Sequence, residues 1–233
     1  MPRIDGPRIA LLHAFPESIE PIHAAFAALW PRAITFDLLD SSLSADLTRA
    51  GEMTPAIVDR VVALARYAES CSGQGGTTAA VLVTCAALGP AIDAVKRAVK
   101  IPVVRPNEAT FEDAVTLGGR VGLLVSFPPS LAALRADLDA MARQRGVSVE
   151  VDARVVKGAL DALKRGDGHT HDYLVTEAAA QMPVTNSLVL GQFSLARAAA
   201  PIEQMTGRPV LTTPESAVLK LRELCAQSGQ HAV

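Results

Sequence analysis

The chain has 233 residues, 49% hydrophobic, 20% charged and 4% aromatic, which describes an aliphatic-cored globular protein and excludes a disordered or fibrous one. Its 22 basic and 24 acidic residues leave a formal charge of −2 with the cations scattered. That balance argues against nucleic acid or a membrane as partner and for a small molecule. Cys71, Cys85 and Cys225 are odd in number and widely spaced, which excludes a disulfide framework and a cysteine-based zinc site, and no stretch reads as a secretory or membrane-spanning segment, so a cytoplasmic location is expected.

In chain order, short apolar runs alternate with alanine-rich stretches, the βαβα pattern of buried parallel strands and covering helices. Strands are expected over 8–12, 33–38, 79–84 and 103–104, then over 120–125, 147–151, 187–191 and 210–211. Helices are expected over 18–28, 55–69, 89–99, 130–145, 171–181, 195–205 and 216–226. The run Ser-Cys-Ser-Gly-Gln-Gly-Gly-Thr-Thr at 70–78 reads as a loop feeding a strand. Gly118-Gly119 marks a change of lobe, giving lobes 1–118 and 119–233, with the last helix free to pack back on the first lobe.

An internal repeat organises this pattern. Arg8-Ile-Ala-Leu-Leu-His-Ala-Phe-Pro-Glu-Ser-Ile aligns with Arg120-Val-Gly-Leu-Leu-Val-Ser-Phe-Pro-Pro-Ser-Leu, 112 positions later. The segment 82–109 aligns with 189–216, 107 positions later, which pairs Pro102 with Pro209 and Glu108 with Glu215. The expected architecture is α/β, with two pseudosymmetric lobes. Each is a mostly parallel four-stranded sheet flanked by helices, and ligand binds in a cleft where the strand ends of both lobes meet. The same offset pairs Cys85 with Gln192, a thiol with an amide.

Cys85 follows an apolar strand and precedes a helix that opens at Pro90. Backbone N–H groups at such a turn lower a thiol pKa and attract carboxylates, which suits a proton carrier or nucleophile; the alternative is a buried structural cysteine, and the repeat favours the reactive reading. Cys71 and Cys225 read as structural thiols. His13, at the end of the first strand, is the candidate second proton carrier, with interface padding as its alternative. Thr84, Ser126, Ser130 and Ser194 lie at strand ends where hydroxyls and backbone amides hold a carboxylate, although Ser18 and Ser130 are also natural helix N-caps. Helix capping by Thr170 or Asp172 is the better reading of Gly166-Asp-Gly-His-Thr-His-Asp, and His169 with His171 makes no metal site.

The segments Val81-Leu-Val-Thr-Cys-Ala-Ala-Leu-Gly-Pro-Ala-Ile, Ile101-Pro-Val-Val and Val189-Leu-Gly-Gln-Phe-Ser-Leu-Ala resemble the aspartate/glutamate racemase superfamily over nearly the whole chain. That superfamily includes aspartate, glutamate and hydantoin racemases, maleate isomerase and arylmalonate decarboxylase. The resemblance implies a cofactor-independent enzyme, a small carboxylate substrate and a homodimer. It also implies catalysis by one cysteine from each lobe. Cys85 matches the first cysteine, whereas Gln192 stands at the second and cannot exchange a proton at neutral pH.

The expected function is therefore a racemase- or isomerase-type reaction on a small carboxylate through the Cys85 thiolate, with His13 as auxiliary. Thr84, Ala86, Ser126, Ser130, Gln192, Phe193 and Ser194 are expected to line the substrate, and Ala86 and Ala87 suggest a less polar one than glutamate. The alternatives are a decarboxylase, lyase or cis-trans isomerase acting on a diacid with one thiol, and a non-catalytic carboxylate binder.

Overall fold

The computed structural model describes residues 6–230, with side chains described for 6–227. By its contacts the chain forms two units, one of residues up to 106 together with those from 215 on, the other Asn107–Pro214. This boundary falls before the Gly118-Gly119 pair, because the helix ahead of those glycines packs on strands of the second unit.

In the first unit, β1 (Arg8–His13), α1 (Ile19–Leu29), β2 (Ile34–Leu39), α2 (Ser42–Ala50) and α3 (Pro55–Ser70) are followed by β3 (Ser72–Gly73) and β4 (Gly76–Val83). α4 (Gly89–Ala98) and β5 (Val103–Val104) complete it before the last helix. β1 lies between β2 and β4, and β5 flanks β4, all parallel. The expected four strands are joined by a fifth, since the 70–78 segment is a small hairpin rather than a plain loop. β3 pairs antiparallel with the start of β4, and Gly75 and Gly76 take φ of +85° and +86°. Ile9, Leu11, Leu12, Val81, Leu82 and Val83 are wholly buried, as continuous apolar runs in a covered parallel sheet should be.

The second unit runs α5 (Glu108–Leu117), β6 (Gly119–Val125), α6 (Leu131–Gln144), β7 (Val149–Val155), α7 (Ala159–Lys164), α8 (Gly168–Ala180), β8 (Ser187–Leu190), α9 (Ala199–Thr206) and β9 (Val210–Thr212). Its sheet has the order β7-β6-β8-β9, again all parallel. Leu124, Val175, Ala179, Leu188, Leu190, Leu195 and Ile202 form the heart of one core between sheet and helices. α10 (Thr213–Gln230) starts in this unit and belongs to the first from Glu215 on.

The repeat is written into the strand registers. Leu12 pairs with Val83 and Val81 with Val103 in the first unit; the positions 112 and 107 residues later pair in the second, Leu124 with Leu190 and Leu188 with Val210. The two central strands of each unit also end alike. β1, β4, β6 and β8 each run into a 3-10 turn, at Pro16–Ser18, Ala86–Leu88, Pro128–Ser130 and Phe193–Ala198, before the next helix begins. The helix expected over 195–205 is therefore a 3-10 turn followed by α9.

Candidate active site

The register of β1 against β4 sets His13 beside Thr84 at the C-terminal edge of the first sheet. His13 is almost wholly buried, with hydrogen bonds at both ring nitrogens. Nε2 lies 2.9 Å from Asp37 Oδ1, while Nδ1 lies 2.8 Å from both Ser18 Oγ and Thr84 Oγ1. Each hydroxyl also has a carbonyl to donate to: Ser18 Oγ to Phe15 O at 2.7 Å, and Thr84 Oγ1 to Leu12 O at 3.1 Å. The network therefore accommodates either protonation state. With a neutral ring, Nε2–H donates to Asp37 and a hydroxyl turns to Nδ1; with a charged ring, both N–H groups donate and the hydroxyls turn to their carbonyls. Burial lowers the pKa of His13, opposed by the hydrogen bond and charge of Asp37.

Asp37 and His23 were not singled out from sequence. Asp37 interrupts the apolar run Ile-Thr-Phe-Asp-Leu-Leu of β2, and a lone carboxylate inside a parallel strand was the signal available. His23, on α1 and partly exposed, bonds both Asp37 oxygens through Nε2 at 3.0 and 2.9 Å. A hydrogen-bonded row thus leads from the surface at His23 through Asp37 and His13 to Thr84, the residue before Cys85.

Cys85 follows β4 by two residues, in extended conformation with φ −105° and ψ 112°, at the cap position of the 86–88 turn. The expectation of a lowered thiol pKa fails. Burial pushes it up to about 11, and hydrogen bonding from the backbone of Ala87 and Leu88 offsets only part of that. At neutral pH the resting group is the thiol, a proton donor. Ala86 and Ala87 are buried beside it. Cys71 lies ahead of β3 and Cys225 on α10, neither at this edge.

The matching edge of the second unit gathers the remaining candidates. Gln192 Oε1 accepts from Ser126 N at 2.6 Å, Ser126 Oγ at 2.9 Å and Phe127 N at 3.2 Å, and its Nε2 donates to Ser130 Oγ at 3.3 Å. Ser130 donates to Phe127 O at 2.7 Å. Ser18 and Ser130 occupy the expected cap positions, but their hydroxyls bond backward to a carbonyl three residues earlier instead of capping. Phe193 is buried and Ser194 nearly so, both in the turn after β8.

The cap of α8 is Asp167, which accepts from Thr170 N at 2.9 Å, rather than Thr170 or Asp172. Asp172 instead bonds His171 Nδ1 at 2.8 Å and Arg197 Nε at 2.7 Å. Burial lowers the pKa of His171, whose Nε2 is buried without a hydrogen-bond partner. Among the described residues, no group of three or more His, Cys, Asp or Glu is arranged to hold a metal ion, and no helix is long and apolar enough to cross a membrane.

Two α/β units of one strand order, with hydroxyls at the strand ends of both and a buried thiol in the first, define a duplicated α/β protein. The chain belongs to the Asp/Glu/Hydantoin racemase family, whose model matches residues 18–221. The fold is shared with a glutamate racemase isoform from Bacillus anthracis, at 13% identity and TM-score 0.76, covering 97% of this chain and 84% of that one. It is shared too with allantoin racemase from Klebsiella pneumoniae (18% identity, TM-score 0.71, coverage 96% and 89%). Unliganded arylmalonate decarboxylase gives 18% identity and TM-score 0.59, with coverage of 94% and 93%. No curated protein sequence matches the chain.

Proposed function

We propose that the protein is a cofactor-independent enzyme that transfers a proton at the carbon next to the carboxylate of a small substrate, with Cys85 as the group carrying it. The observation behind this reading is the Cys85 thiol, buried and so held protonated where β4 runs into the 86–88 turn. Family membership supports a racemase or isomerase reaction. In that reaction a base removes the α-proton, the C–H electron pair delocalises into the carboxylate, and the S–H proton of Cys85 passes to carbon, leaving a thiolate. His13, with Nε2 on Asp37 and Nδ1 on the Ser18 and Thr84 hydroxyls, would act through one of those hydroxyls.

A second reading is favoured by Gln192, which leaves Cys85 without a second thiol at the corresponding position. In it the Cα–carboxylate bond breaks, carbon dioxide leaves, and Cys85 protonates the carbanion on one face. The thiolate then regains a proton from solvent, so the step balances with one proton consumed.

The test is incubation of amino acids, hydantoins and substituted malonates in deuterium oxide, with Cys85→Ser as control. Cys85-dependent deuterium at Cα without carbon dioxide supports the isomerase reading, and carbon dioxide with one stereospecific deuterium supports decarboxylation. Deuterium incorporation unchanged in Cys85→Ser overturns both.

A further inference from the structure

The second unit carries an oxyanion nest that is already filled. At the end of β6, two successive backbone N–H groups, of Ser126 and Phe127, and the Ser126 hydroxyl converge on one point, the arrangement that holds a carboxylate or developing oxyanion. The atom at that point is Gln192 Oε1, at 2.6, 3.2 and 2.9 Å from the three donors. The pairing of Leu124 with Leu190 explains the fit, since two residues on it sets Gln192 beside Ser126, within reach of the nest. The other half of the amide is braced as well, Nε2 on the fully buried Ser130 Oγ, whose proton goes to Phe127 O. Lifting Gln192 out would strand several polar groups at once.

We propose that Gln192 is a specificity-determining residue: its amide oxygen is a built-in ligand of the Ser126–Phe127 nest, so the enzyme selects a substrate that brings no carboxylate to that nest. This rests on the proposed reaction and narrows its substrate class to acids whose carboxylate is held elsewhere, with a neutral group in place of a second one. Gln192 is thus a stand-in for a carboxylate and not a group that orients substrate. A thiol at this position lacks the length and the acceptor strength to fill the nest in the same way.

The test uses the full chain labelled with 15N-serine and 15N-phenylalanine, titrated with sodium acetate and with sodium malonate while the Ser126 and Phe127 amide resonances are followed. In the wild type neither amide should shift saturably across the millimolar range. In Gln192→Ala, which vacates the nest and removes the acceptor, both should shift, with a dissociation constant at least about tenfold lower. Gln192→Val provides a second variant, whose side chain is too short to reach the nest, and the amide spectrum reports whether each variant is folded. Saturable shifts in the wild type, or silent amides in both folded variants, overturn the proposal. None of these readouts involves turnover, so a failure here is distinct from a failure of the Cys85 reaction, which the deuterium experiment reads.

Discussion

His13 Nε2 and Asp37 Oδ1 stand 2.9 Å apart, a carboxylate on one strand fixing the ring of a histidine two residues beyond its register partner, Leu11, on the next. Asp37 raises the pKa of His13 against the larger effect of burial. Asp37→Asn removes the charge and keeps the shape, so the His13 pKa should fall further below its ordinary value, read from imidazole resonances during an NMR pH titration. An unchanged or higher pKa would show that Asp37 does not hold the ring.

Stability should decline as the solution is acidified from neutrality. His13 and His171 both have pKa values lowered by burial. The unfolded chain takes up protons first, near pH 6.5, so the stabilisation is full above that value and is lost as pH falls toward the folded values. Urea midpoints measured between pH 7.5 and pH 5 should fall, and less steeply in His13→Gln. A flat profile in the wild type would contradict the buried neutral imidazoles.

Cys85 should be slow to alkylate at neutral pH. With the thiol pushed up to about 11, roughly one molecule in ten thousand carries a thiolate at pH 7. The iodoacetamide rate at Cys85, followed by peptide mass spectrometry, should keep climbing to about pH 11. The less buried Cys71 and Cys225 serve as internal references. A midpoint below pH 7 would mean an activated thiolate and a base rather than an acid as the resting group.

Gly122 should accept a side chain only at a cost. A Cβ there would lie 2.6 Å from Leu188 Cδ2 and 3.1 Å from Met182 Sδ, two buried side-chain ends that would have to shift. Gly122→Ala should destabilise the protein by about 1–3 kcal/mol, the usual range for overpacking, measured by thermal or urea unfolding. A neutral result would mean that Leu188 and Met182 repack without strain.

Most of the central strands were legible because they are apolar runs and because the repeat supplied β1, β4 and β5 a second time as β6, β8 and β9. What escaped lacked that signal. α2 buries only Leu43 and Leu47, and the short α7 offers little periodicity to read. β7 lies two to four residues later than expected because its Glu150, Asp152 and Arg154 break the apolar pattern on an edge strand. At the site, Cys85, Thr84 and His13 were readable as strand ends, whereas Asp37 reaches His13 only through β1–β2 pairing, which no local spacing encodes. The raised thiol pKa was hidden for a related reason. A turn that donates hydrogen bonds is visible in sequence, but the depth at which it is buried is a property of the finished packing.

The first unit is assembled from two stretches of chain separated by the whole of the second. Its sheet is complete by Val104, yet the helix that belongs with it from Glu215 on comes only after the whole second unit, and Arg222 Nη1 of that helix bonds Leu29 O at 3.0 Å. The second unit, by contrast, is one uninterrupted stretch. During synthesis the first unit must therefore wait, holding an uncovered surface, until the whole second unit has been translated and the helix beyond it is made.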